Sequence, residues 1–183
     1  KSVRLPFLPD GNSYLGVKMS HKNRCSVRYA VVRIPTSSAC PRFVVLPSAA
    51  GRHDIIFIDD IIRLMIDHIF FMFSYDEIGV YTFKIMRDAE LTYDEDVSKS
   101  LFERISEGVS NRRYGLPIRM IYDRDMPADM VEILAGKLGL DNSEMLAPGE
   151  RYHMMKDLMK FPKVRPDLLY APQRPIQHPS ISL

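Results

Sequence analysis

The stretch from Tyr75 to Leu91, Y-D-E-I-G-V-Y-T-F-K-I-M-R-D-A-E-L, constrains this chain more than any other. Its centre alternates, with Val80, Thr82, Lys84 and Met86 on one side and Tyr81, Phe83, Ile85 and Arg87 on the other. Aromatic and β-branched residues at a period of two specify a strand with a strongly apolar face. Such a strand sets the register of a sheet, because a slip of one residue would turn its apolar set to water. A helix-patterned segment flanks it on each side.

The neighbouring segments can be read in order. Turn signals at Pro6, Pro9 and Asp10-Gly11 precede strands over Tyr14–Met19 and Cys25–Ile34. Arg42–Leu46, bounded by Pro41 and Pro47, reads as a short edge strand or extended segment. From Ile58 to Phe73 the apolar period changes to three and four (Ile58, Ile61, Ile62, Met65, Ile66, Ile69, Phe73), which predicts an amphipathic helix. Asp59 and Asp60 suit the positive end of its dipole.

A second helix is predicted over Asp94–Arg113 and a strand over Pro117–Tyr122. Asp125-Met126-Pro127 opens a third helix that runs through Leu138 and is closed by Gly139. A short helix follows over Tyr152–Lys160. Strands and helices mix without strict alternation. The expected fold is therefore α+β: a mostly antiparallel or mixed sheet with two or three amphipathic helices packed on it, in a single domain.

Composition narrows the function classes. Hydrophobic residues at 46% and charged residues at 26% are ordinary for a globular domain, and 183 residues are enough for a sizeable core. A net charge of +2 argues against a strongly electrostatic nucleic-acid binder. Tyr81 and Phe83 are more simply core residues than a base-stacking platform. Cys25 and Cys40 form no C-x-x-C pair, so neither a disulfide framework nor a zinc site is indicated, and a reducing cytoplasm fits. No apolar run approaches the roughly 20 residues of a membrane span, and no secretory signal is present. The chain begins at Lys1 and closes on a Pro-rich stretch, Pro172–Leu183, so it reads as a piece of a longer protein.

No nucleotide-binding glycine motif occurs, no pair among the five histidines has metal-ligand spacing, and no Ser or Cys sits in a nucleophile motif. Three charged clusters remain. Arg87-Asp88 and Arg124-Asp125 end two strands, and crossed pairing would make Asp88 and Asp125 structural ion-pair partners. Arg151, His153, Lys156, Lys160 and Lys163 form either a solvated basic face or a polyanion contact. In the run Phe70 to Phe73, the residues Phe70, Phe71 and Phe73 exceed what one helix face can bury. They are candidates for a dimer interface, the alternative being a helix that ends near Phe70 with the rest folded under as core.

Four segments resemble a known family in order: R-F-V-V-L-P (Arg42–Pro47), F-K-I-M-R-D-A-E-L (Phe83–Leu91), Y-D-R-D-M-P (Tyr122–Pro127) and P-G-E-R-Y-H-M-M-K-D-L-M-K-F-P (Pro148–Pro162). They are similar to the middle, or head, domain of the bacterial long-chain polyphosphate kinases, the enzymes with phospholipase D-like catalytic domains. The resemblance runs from about Asn12 to Pro162 and is least close between Ser37 and Asp54 and at Met154-Met155.

It implies a head domain over 1–162 and a Pro-rich linker over 163–183 toward absent catalytic domains. The full-length enzyme would transfer the terminal phosphate of ATP to polyphosphate through a phosphohistidine, using ATP and magnesium. No histidine here has Lys two positions on, so the H-x-K element of phospholipase D-like chemistry is expected elsewhere, and no cofactor is expected in this segment. The implied role is dimerisation and scaffolding of the catalytic tunnel, inactive alone. The alternative is a polyanion-binding module near Arg151–Lys160. Candidate polyphosphate or inter-domain contacts are Arg87, Arg124, Arg151, His153, Lys156 and Lys160. Implied partners are the protein's own N-terminal and catalytic C-terminal domains, a second copy, and polyphosphate, with no nucleic acid and no membrane span. The implied location is the cytoplasm, with membrane association of the full-length enzyme left open.

Overall fold

The strand expected at the centre is β5, Glu77–Arg87, and it is paired along both edges. On one side lies β1 (Ser13–Ser20), which carries β2 (Val27–Arg33) on its far edge. On the other lies β6 (Pro117–Asp123), which carries β7 (Leu146–Gly149). The order is β2-β1-β5-β6-β7, antiparallel throughout except for the parallel pair β6–β7. The computed structural model describes residues 5–22, 26–37, 40–49, 51–87, 115–171 and 173. The helix expected over Asp94–Arg113, along with Asp88, lies outside the described residues.

Helices pack on both faces of this sheet, so β5 contributes apolar residues to a core on each side. On one face Tyr14 of β1 stands opposite Phe83 of β5; their rings stack at 5.5 Å and both are fully buried. Ile85, Met120, Met130, Val131 and Leu134 complete that core. The last three belong to α3, Ala128–Leu138, whose first-turn Asp129 receives hydrogen bonds from Lys18 Nζ (2.6 Å) and Tyr29 Oη (2.5 Å). Helix α3 ends at Gly139, held at φ 71°, a left-handed conformation that glycine adopts without a Cβ clash.

On the other face Val17 and Met19 of β1, with Ile78 and Val80 of β5, pack against Ile66 and Phe70. The segment 58–73 is not the continuous helix that its period predicts. It divides into α1, Ile58–Leu64, and α2, Ile66–Ile69, with Met65 at φ −95°, ψ 12° between them, and ends in a turn where the Phe73 amide bonds the Phe70 carbonyl. The bend lets Ile66 and Phe70 turn onto the sheet while Leu64, Ile69, Phe71 and Met72 stay exposed. A straight amphipathic helix would have kept one stripe facing one surface.

Two strands escape a reading by pattern. β4, Asp54–Phe57, pairs with β3, Phe43–Leu46, as a separate two-stranded sheet, and its apolar residues run straight into the start of α1. β7 contains Pro148 and Gly149, residues that punctuate turns elsewhere but are tolerated on an edge strand. The helix expected over Tyr152–Lys160 is a 3-10 helix over Met155–Lys160, and a second 3-10 turn spans Pro166–Leu168. Among the described residues no helix is long and apolar enough to cross a membrane.

Candidate functional site

The antiparallel register of the sheet places Ser13 opposite Lys84 and Tyr14 opposite Arg33. That rim, where β1 starts and β2 ends, is overlain by the segment 153–160. Between them opens a groove of about 1290 Å³ lined by Arg33, Lys84, His153, Lys156 and Lys160. Asp10 is the carboxylate among its lining residues. Gly11, at φ 74°, forms the turn on which the N-terminal wall is built, with its amide bonded to Asp10 Oδ1 at 2.6 Å; the ammonium of Lys156 hangs over it.

Among the described residues Arg33, Lys84, Lys156 and Lys160 form no ion pair. The Lys84 ammonium donates instead to the His153 carbonyl at 3.2 Å. Cations that converge on one concavity and are not paired with a carboxylate keep their attraction for an external anion. The His153 ring is half-buried, with Nε2 3.4 Å from the Thr82 carbonyl, and burial holds its pKa below the ordinary value. It is therefore a neutral hydrogen-bonding group at neutral pH. The groove can hold an anion, but it contains no nucleophile beside a base. Among the described residues no cluster of His, Cys, Asp and Glu could hold a metal ion.

The other basic residues singled out from the sequence stand apart from this groove. Arg87 is buried and clamps backbone, donating from Nε (3.0 Å) and Nη2 (2.9 Å) to the Leu8 carbonyl and from Nη1 to the Gly115 carbonyl (2.7 Å). Burial pushes its pKa down, and the guanidinium lies 4.4 Å from the Phe7 ring centroid. Arg124 is exposed and pairs with Glu150, because the parallel strands β6 and β7 end side by side. Asp125 consequently makes no ion pair among the described residues, and the crossed Arg–Asp pairing expected for it does not form. Arg151 is exposed and does not line the groove. Phe70 is buried in the core, whereas Phe71 and Phe73 are exposed.

Comparison with known proteins gives this geometry its context. The family model described as the polyphosphate kinase middle domain matches residues 1–161. The chain belongs to the polyphosphate kinase middle-domain family. It is 41% identical over 168 residues to the polyphosphate kinase of Vibrio vulnificus (strain YJ016), covering 90% of this chain and 24% of that one. Similarity to the polyphosphate kinase of Escherichia coli (strain K12) is 38% over 176 residues, covering 94% of this chain and 25% of the relative. The crystal structure of polyphosphate kinase from Porphyromonas gingivalis superposes with a TM-score of 0.69 at 24% identity, covering 96% of this chain and 24% of that chain; at that identity it supports the fold. The middle domain thus spans about a quarter of the length of the relatives it matches.

Two of the family segments meet in the middle domain far from where they lie in sequence. Arg42 Nη2 pairs with Asp59 Oδ2 at 2.7 Å, with 4% and 0% of the two side chains exposed, and Arg42 Nε lies 3.5 Å from Asp157 Oδ2. Burial raises the Asp59 carboxyl pKa against the opposing pull of Arg42. The Tyr152 ring stacks on Phe57 at 4.5 Å and its hydroxyl donates to Asp60 Oδ2 at 2.6 Å, while Phe161 packs edge-on to Phe43 at 5.1 Å. Sequence reasoning missed Arg33, Lys84, Arg42 and Asp59. A cation within a strand otherwise rich in aromatics was the visible signal for Lys84; nothing local marks the other three.

Proposed function

We propose that this chain is the head domain, over about 1–162, of a cytoplasmic ATP:polyphosphate phosphotransferase. The full-length enzyme moves the terminal phosphate of ATP onto polyphosphate through a phosphohistidine, with magnesium, and residues 163–183 lead toward the catalytic domains. The match to the polyphosphate kinase middle domain over 1–161 carries this reading. The chain's own part is scaffolding and self-association. Phosphoryl transfer needs a nucleophile and convergent charge stabilisation together, and the groove supplies the second without the first.

The test is elongation of a polyphosphate primer from ATP and magnesium. The full-length protein is expected to elongate it and the 183-residue chain is not. Elongation by the chain alone would remove the scaffold reading, and failure of the full-length protein would remove the enzymatic one.

A second reading is favoured by the groove itself: a polyanion-holding wall in which Lys156 and Lys160, joined by Arg33 and Lys84, contact polyphosphate. Each phosphate contact releases counterions, so affinity should fall steeply with salt. Replacing Lys156 and Lys160 by Gln is expected to lower that salt dependence, and an unchanged slope would count against the reading.

A further inference from the structure

The groove's outer wall is a structurally weak element. Met155–Lys160 is a 3-10 helix with no buried residue, longer than the three or four residues at which such helices usually stop. Its place is set from outside by the small β3–β4 sheet and α1, whose Phe43, Phe57 and Asp60 hold Phe161 and Tyr152 at its two ends. Between those ends Asp157 is its acidic side chain, and it reaches the Arg42 guanidinium. Arg42 cannot swing to follow a moving turn, because Asp59 holds it in a buried pair and its guanidinium lies 5.6 Å from the Phe57 ring centroid. Lys156 precedes Asp157 and Lys160 precedes Phe161, so each groove lysine adjoins an anchored residue.

We propose that Arg42 and Asp157 are positioning residues that fix the 152–161 turn and thereby hold the Lys156 and Lys160 ammonium groups over the groove for a phosphate chain. This rests on the polyanion reading of the groove given above. The buried Arg42–Asp59 pair is the fixed post, and Asp157 is the catch that closes on it. The two-stranded sheet, which adds no strand to the main one, has the task of carrying that post.

The experiment uses the full-length protein, inorganic polyphosphate of defined length as probe, and the near-isosteric Asp157→Asn. Two quantities are read: amide hydrogen exchange in 152–161, and the slope of log affinity against log salt. Expected are faster exchange at the Asp157 and Phe161 amides, which now bond the Met154 and Leu158 carbonyls, and a slope reduced by about one to two units, as each lost phosphate contact removes nearly one. Adding Asp157→Asn to Lys156→Gln/Lys160→Gln should reduce the slope no further, because the two changes act on the same contacts. Unchanged exchange would overturn the catch. Faster exchange with an unchanged slope, while the lysine variant lowers it, would show that the lysines do not depend on the catch. An unchanged slope in the lysine variant would instead bring down the polyanion reading, and this proposal with it.

Discussion

Arg42 and Asp59 meet at 2.7 Å with almost no exposed surface, although Arg42 directly precedes a strand and Asp59 lies in the first turn of a helix. Removing one partner of a buried pair strands the other charge, at a cost of about 3–5 kcal/mol, whereas removing both is far cheaper. Arg42→Met should therefore lower the urea midpoint strongly, and Arg42→Met/Asp59→Leu should recover most of the loss. A single variant costing less than about 1 kcal/mol would mean that Asp59 is accommodated without Arg42.

Two glycines three residues apart should respond to alanine with opposite signs. Gly136 lies inside α3 with open space where a Cβ would stand, so Gly136→Ala should stabilise by about 0.5–1 kcal/mol. Gly139 is the left-handed C-cap, and Gly139→Ala should cost roughly 1 kcal/mol. Thermal unfolding of both variants checks the pair, and equal signs would contradict the cap geometry.

Stability should depend on His153 at mildly acidic pH. Burial lowers its folded-state pKa below the ordinary 6.5, so the unfolded chain binds the proton more readily. Below that pH the unfolded state holds more protons than the folded one, and stability falls as acid is added. The melting temperature should drop between pH 7 and pH 5, and His153→Gln should flatten that part of the profile. A variant whose profile parallels the parent would show that other groups dominate.

Phe71 and Met72, 77% and 81% exposed, adjoin the half-exposed Phe73. If this edge is where copies associate, Phe71→Asp in the full-length protein should shift sedimentation equilibrium toward the smaller species with little change in melting temperature. An unchanged mass would place self-association elsewhere.

How much of this was legible varies by element. β1, β5 and α3 announce themselves because their periods, caps and breakers are local, and Gly139 ends α3 where the pattern stops. β4 is hidden because Ile55 to Phe57 runs unbroken into the apolar start of α1, leaving no change of composition at the boundary. The break at Met65 carries no proline or glycine; it follows from burying Ile66 and Phe70 against a sheet formed by distant strands.

For the candidate site, His153, Lys156 and Lys160 could be picked out because they cluster within eight positions of the sequence. Arg33 and Lys84 join them through sheet register, which no single strand reveals. The same limit explains Arg87 and Arg124. Charge alone made them look like site residues, and only their surroundings show one clamping the Leu8 and Gly115 carbonyls and the other held by Glu150.

The sequence by itself determined the α+β class, the central strand and the order of the motifs that place the chain in its family, because periodicity and turn chemistry act between near neighbours. Tertiary structure alone decided that the sheet is covered on both faces, that Asp59 is buried rather than solvated, and that cations from β2, β5 and the C-terminal turn share one groove. Those outcomes depend on which surfaces meet. Charge and burial energies are set by the neighbours across a contact, not by the residues alongside in the chain.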